Sequence, residues 1–488
     1  MESIVRKYAG TTARPGPALA ALAAAQFTVM LATSIVNVAL PQIRAGVGLS
    51  DSGTTWVVNA YGLAFGALLL AGGRAADLLG PRRVLLAGLG LFGVASLAAG
   101  LSTTPEALIA ARAVQGLGAA AIAPSALALV MLLFPPGPAR GRALGVWGAV
   151  SGAGGAAGVL LGGVLTQAWG WPWIFHAVAI GAFLVLVLTA IRVPRAASAT
   201  ERGRFDLPGT ATVSLALTAL VWGLTTARSS GWADPQVTGS FVLAAALLAA
   251  FVLVERRHPH PLLPPRLFTT GRVAAGNLLM ALLGSVWIAL FFFLPLYQQH
   301  VLGSSPLVTG LGQLPLAGAN MLGSALAPRI SRRIGAPATV TAALLTEAAG
   351  MLWLSRISAD GSYLAGVLGP SVLIGLGLSI AFVQLTSLSL DAVRREDAGL
   401  AGGLVNTTRQ VGGAIGLAVL ATLAGSVTAR AATHQPHLDA LTAGYRLAFA
   451  LSAAVLTATA LLALLLARRG RTVDRAAANR AAALTRTP

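Results

Sequence analysis

Apolar runs of about twenty residues recur along the whole 488-residue chain, separated by short polar loops rich in arginine. A run of that length crosses the ~30 Å hydrocarbon core of a bilayer as one helix. Fourteen runs are read at 18–40, 53–72, 84–101, 107–132, 143–166, 170–191, 207–228, 236–254, 272–297, 307–327, 338–355, 362–386, 399–424 and 445–467. The pattern predicts an all-α integral membrane protein of fourteen transmembrane helices, ordered six, two, six. The predicted units are an N-terminal six-helix bundle (1–195), a linker with a two-helix insertion (196–256), a C-terminal six-helix bundle (257–470) and a tail (471–488). The basic, proline-rich segments RVPRAASATERGRFDLPG at 192–209 and ERRHPHPLLPPRLFTTGR at 255–272 mark the boundaries of the insertion.

Composition agrees with this reading. The chain is 56% hydrophobic and 10% charged, against about 25% charged for soluble domains. The net charge of +19 raises the question of a nucleic-acid partner. The distribution of the charge answers it. With fourteen spans, only Arg44, Arg228, Arg356, Arg430 and Arg446 fall on one side, and Arg112 and Arg409 lie within spans. Every other lysine and arginine falls in the alternate loops, which places both termini in the cytoplasm and requires no nucleic acid. Lys7 is the single lysine, a bias that suggests a GC-rich bacterial coding sequence and hence the cytoplasmic membrane. The first span is longer than the ~7–15-residue core of a signal peptide and carries Gln26 and Asn37, so it is read as a retained helix. Cysteine is absent, which excludes disulfides, thiolate metal sites and a cysteine nucleophile. The chain shows no HExxH motif, no Walker loop and no nucleophile–base constellation. It is read as a non-enzyme without metal or cofactor, and not powered directly by ATP.

Polar residues within spans face protein or a cavity rather than lipid. Gln26, Met30, Thr33 and Asn37 form one stripe of the first helix. Gln313, Asn320 and Ser324 form another on the tenth. Arg112 and Gln115 share a face of the fourth, and Asn406 lies a turn from Arg409 and Gln410. The candidate cavity residues are Gln26, Asn37, Arg112, Gln115, Asn320, Asn406 and Gln410, on helices 1, 4, 10 and 13 of a cavity also walled by helices 2, 5, 9 and 12. Weak self-similarity joins GGRAADLLGPRRV at 72–84 to APRISRRIGAPATV at 327–340, with Gly80 opposite Gly335. Such halves are a common transporter device.

The stretch GVWGAVSGAGGAAGVLLGG at 145–163 holds eight glycines and no charge. Gly152, Gly154 and Ala157 fit a variant dinucleotide loop. The other reading is an apolar helix whose glycines let a second backbone approach closely. The stretch lies within an apolar span and follows no strand, which favours the helix.

These residues give the chain a resemblance, over nearly its whole length, to the fourteen-helix drug:proton antiporter branch of the major facilitator superfamily. Gly73, Arg74, Asp77, Gly80, Arg82 and Arg83 resemble motif A, a gating loop in which Asp77 would meet arginines and latch two helices. RAVQGLGAA at 112–120 resembles motif B, whose arginine is commonly assigned to proton coupling. Gly145, Gly154, Gly158, Gly162 and Gly163 resemble motif C, the helix-packing antiporter signature, with Val159 where proline is usual. LATSIVNVALP at 31–41 resembles the first-helix pattern, with Ala32 where a proton-binding aspartate is usual. WPWIFHAVAIG at 171–181 is a further altered match.

The resemblance implies a monomeric secondary exporter of small amphipathic compounds by alternating access, with a proton gradient as its energy source. The lack of an acid in the expected cavity favours neutral, zwitterionic or anionic substrates over cations. Arg112, Glu347 and Asp51 are the candidates for proton coupling. Glu347 is the one acid placed near mid-membrane, and Asp51 precedes the second helix. Ala32 and Val159 keep open a proton-independent facilitator or metabolite carrier of the same fold. A non-transporting membrane sensor or assembly protein on a carrier scaffold is the other rival.

Overall fold

The computed structural model describes residues 15–134, 138–194, 206–257, 273–390, 393 and 398–484. The described residues are helical throughout, with short turns. In chain order the helices are α1 (Pro15–Val47), α2 (Asp51–Leu79), α3 (Pro81–Gly100), α4 (Pro105–Leu133), α5 (Pro138–Trp169), α6 (Pro172–Arg192), α7 (Leu207–Ser230) and α8 (Pro235–Arg257). Next come α9 (Val273–Leu296), extended by a π-helical turn (Tyr297–Val301), and α10, in two pieces (Pro306–Gly312 and Leu314–Ile334). The last are α11 (Ala336–Leu354), α12 (Gly369–Leu390), α13 (Ala398–Ala431) and α14 (His437–Leu484). α14 continues as helix through most of the segment expected to be a tail.

The local sequence explains where helices begin. Proline stands in the first turn of α3, α4, α6 and α7, where its missing N–H costs nothing. Ser50, Thr104 and Asp206 accept the N–H of the third residue on, at 3.0, 3.3 and 2.8 Å, and so cap α2, α4 and α7.

Eleven of the helices are long and apolar enough to cross a membrane. α2, α7 and α10 are the exceptions. The apolar core of α2 is Trp56–Leu69 and that of α7 is Pro208–Leu224, while the longer piece of α10 ends in Arg329, Arg332 and Arg333. Outward apolar side chains form lipid-facing stripes. On α6, Ile180, Leu184, Val187 and Ile191 are all more than half exposed, at the spacing of one helix face. In water such a surface would be an aggregation liability; in a bilayer it is the solvated face.

The two halves pack alike. α1 pairs with α5, α2 with α4, α3 with α4 and α6; eight helices later, α9 pairs with α13, α10 with α12, α11 with α12 and α14. Each half has its own apolar core. The turn between α2 and α3 is made by Gly80 at φ 91°, and that between α10 and α11 by Gly335 at φ 82°. Both positions need a residue free to adopt positive φ, so the aligned glycines serve one geometry in two copies.

Glycines set the closest pairings. A methyl on Gly154 would stand 2.8 Å from the Phe27 carbonyl oxygen of α1, on Gly158 2.6 Å from that of Leu31, and on Gly162 2.6 Å from that of Ile35. Ser34 Oγ donates to the Gly155 carbonyl at 2.7 Å. The motif C stretch is thus a helix lying against the α1 backbone, and the dinucleotide reading falls. Gly163 is buried. Gly145 is the exception: it is exposed and its methyl direction is open, because it lies before the crossing with α1. Val159 is buried in proline's place, and α5 remains one continuous helix there.

The insertion α7–α8 bridges the halves. α7 packs on both α2 and α13. Ser214 Oγ donates to the Ala67 carbonyl at 3.0 Å, and a small core of Ala67, Val213, Leu217, Phe251, Val273 and Leu404 joins α2, α7, α8, α9 and α13.

Gly158→Val is expected to destabilise the protein by roughly 1–3 kcal/mol, the usual cost of overpacking, whereas Gly145→Ala leaves stability unchanged. Thermal melting followed by fluorescence-detected size exclusion in detergent distinguishes the two. Equal melting temperatures would contradict the close-approach account.

Candidate functional site

Between the halves lies a cavity walled by residues of α1, α2, α4, α5, α7, α9, α10 and α13. The stripe on α1 supplies Met30, Thr33 and Asn37. Beside it Tyr61 of α2 donates to the Val29 carbonyl at 3.2 Å.

Arg112 of α4 lies with its guanidinium carbon 4.3 Å from the centre of the Tyr61 ring. Its Nε donates to the Val57 carbonyl at 2.9 Å and its Nη1 to Gln115 Oε1 at 2.5 Å. Gln115 Nε2 donates to Ser96 Oγ at 2.7 Å, and Ser96 Oγ to the Phe92 carbonyl at 2.6 Å. This relay runs from the cavity wall into α3. Burying a guanidinium is costly unless its donors are met, and here one helix carbonyl and an amide take Nε and Nη1 without a carboxylate.

Arg409 of α13 occupies the facing half. It is 7% exposed, with its guanidinium carbon 5.0 Å from the Trp287 ring centre. Gln313, at the break in α10, is buried, and both ends of its amide lack a partner. Among the described residues, no aspartate or glutamate lines the cavity.

Of the residues picked from sequence, Asn37, Arg112, Asn320 and Gln410 line this cavity. Gln26, Gln115 and Asn406 do not. Gln26 is buried elsewhere on α1, Gln115 lies behind Arg112, and Asn406 turns its Nδ2 to the Gly402 carbonyl at 3.3 Å. α12, expected in the wall, supplies no lining residue; its Gln384 donates instead to the Ala327 carbonyl of α10 at 3.2 Å. α7 takes a place that sequence did not assign it, through Leu217 and Val221. Tyr61 and Trp287 were also missed. An aromatic or aliphatic residue within an apolar run carries no mark that separates a cavity wall from a lipid face.

Glu347 of α11 is 0% exposed and lies away from the cavity, in the α11–α12 contact. Its backbone N sits 2.6 Å from where Gly377 would carry a methyl, and neither carboxyl oxygen has a partner. The side chains of Asp51 and Asp77 lie outside the described residues, so the latch expected of Asp77 is not described. Around it, Gly73 is buried, Arg83 is exposed and Arg74 Nε is buried without a partner. Arg82 donates through Nε to the Val193 carbonyl at 2.9 Å and through Nη2 to that of Ala190 at 2.8 Å. It thereby caps the C-terminal end of α6, where cationic donors are favoured.

Two like-packed helical halves around a central cavity, clothed in apolar surface, define a multi-pass membrane protein of transporter architecture. The chain belongs to the Major Facilitator Superfamily, whose match covers residues 22–417. It is 42% identical to a cephamycin export protein of Amycolatopsis lactamdurans, over 92% of this chain and 95% of that protein. It is 41% identical to a puromycin resistance protein of Streptomyces alboniger, over 91% of this chain and 90% of that protein. A solved structure of an auto-inhibited peptide transporter of the POT family superposes with a TM-score of 0.68 at 16% identity, over 93% of this chain and 96% of that one. That likeness speaks for the fold alone.

The absence of cysteine makes any introduced thiol unique. Modification of Val221→Cys in the α7 wall with N-phenylmaleimide is expected to block transport, while the same label on Val242→Cys, on the exposed face of α8, leaves it intact. Transport surviving at Val221→Cys would remove α7 from the wall.

Proposed function

We propose that the protein is a secondary active exporter of small amphipathic compounds, antibiotics among them, working by alternating access in the cytoplasmic membrane. The observation that carries this reading is the identity above 40% to export and resistance proteins over nine tenths of the chain. The lining supports it: aliphatic and aromatic walls with a few polar groups are what a drug-sized amphiphile requires.

On this reading all fourteen helices cross the membrane, with both termini in the cytoplasm and the chain acting as a monomer. The six-helix bundles fall within 1–195 and 257–470, and the α7–α8 insertion lies between them. α2, α7 and α10 are the polar members, tolerated because each packs against protein on its polar side. Energy comes from the proton gradient, with Arg112 answering the charge of a proton-carrying group and Glu347 and Asp51 as its candidates. The cavity, whose described lining holds two arginines and no acid, favours neutral, zwitterionic or anionic compounds.

The proton-independent carrier is the second reading, and Ala32 carries it. The residue is buried at 1% exposure on α1, so no carboxylate stands where the resembled branch places one.

Expression in a pump-deficient bacterial host is expected to raise the inhibitory concentration of at least one amphipathic antibiotic in a broad panel several-fold. In proteoliposomes, an imposed pH gradient is expected to drive uptake of that compound. No shift across the panel would overturn export. A shift without response to the gradient would favour the second reading.

A further inference from the structure

The two cavity arginines differ in what their donors do. Arg112 is engaged by a helix carbonyl, an amide and a tyrosine face. Arg409 is also buried and also lies over an aromatic ring, yet its guanidinium makes no hydrogen bond among the described residues, and its Nε is buried and unpartnered. Contact with a ring face occupies one side of the planar guanidinium and leaves the N–H edge for another acceptor. A buried guanidinium whose donors go unmet is costly, and nothing acidic among the described wall residues relieves it. Gln313, with both amide ends unpartnered, lines the same space. The same cavity is also lined by Ile288, Phe291, Phe292 and Leu316, a surface for an aromatic or aliphatic body.

We propose that Arg409, positioned by Trp287, is the anion-binding group of the cavity, and that the preferred substrates are amphipathic monocarboxylates. The carboxylate takes the unpartnered guanidinium edge, a geometry in which two parallel N–H···O bonds form; the apolar body lies on the phenylalanines, and Gln313 pairs with a polar group of the body. Arg112 is set aside as the anion site, because its Nε and Nη1 already donate to the protein. This assignment rests on the transport reading above and adds to it the chemical class of the cargo.

The test uses matched acids and amides: 1-pyrenebutyrate and naproxen, each against its primary amide, binding to the full-length protein in nanodiscs of zwitterionic lipid. Wild type is expected to bind each acid about tenfold or more tighter than its amide, the scale of one charge-assisted hydrogen bond. Arg409→Gln is expected to bring that ratio close to one, and Arg409→Lys to restore part of it. Arg430→Gln, which removes an exposed positive charge of α13 outside the cavity, is expected to keep the ratio. Because the readout is a ratio within one variant, a partial loss of folded protein does not mimic the effect. A ratio unchanged in Arg409→Gln, amides bound by wild type as tightly as acids, or no acid bound at all would each overturn the proposal. Failure of the transport reading looks different: acids bound with an Arg409-dependent preference but not moved across proteoliposome membranes. Transport of the amides without preference for acids would keep export and remove the anion site.

Discussion

The close approach of helix backbones at glycine is the constraint on which the rest of the structure depends. In lipid no hydrophobic effect drives helices together, and association rests on packing and hydrogen bonds. Gly154, Gly158 and Gly162 let α5 lie on the carbonyls of α1. Eight helices later, Gly412 and Gly416 do the same for α13 on the backbone of α9 at Ala281 and Ser285. These two pairs are symmetry mates in the repeat, and they hold the side chains that face the cavity: Met30, Thr33 and Asn37 on one side, Trp287, Arg409 and Gln410 on the other. α5 also reaches across to the second half, its Leu160 Cα 3.1 Å from where Gly310 of α10 would carry a methyl. A helix bound to its own half by three glycines and touching the other half is well placed to carry motion between them.

Charge follows from that frame. Two guanidinium groups stand in a low-dielectric wall with no acid among its described residues, a costly arrangement unless each is answered. The first half answers through a relay from Arg112 to Gln115, Ser96 and the Phe92 carbonyl. Among the described residues, the second half provides the Trp287 ring and no hydrogen bond. The difference between the halves, rather than either arginine alone, gives the cavity a chemical direction. The insertion completes the wall, since Leu217 and Val221 of α7 line it, and the small core that includes Leu217 ties both halves together.

Much of the fold is legible in the sequence, because membrane crossing imposes length and composition that a chain cannot hide. The glycines of 145–163 announce a close contact, although only the structure shows that Gly145 is outside it. The site is less legible. Arg112, Asn37, Asn320 and Gln410 stand out as polar residues in apolar runs, and all four line the cavity. Gln26, Gln115 and Asn406 stand out equally and do not, because a buried amide that serves the helix bundle looks the same in sequence as one that serves a ligand. Leu217, Val221 and Trp287 carry no signal, since apolar walls and lipid faces use the same residues. Arg409 is visible, but its role depends on a donor left unpaired, which is a property of three dimensions.

The central claim is that two rigid, glycine-packed halves move about the cavity to export its contents. Distances between spin labels on Leu132→Cys of α4 and Ile334→Cys of α10, exposed residues near helix ends of opposite halves, test it most directly. Double electron–electron resonance on this pair is predicted to give two distance populations whose proportions change when an exported compound is added. One narrow distance that no compound alters would contradict the account.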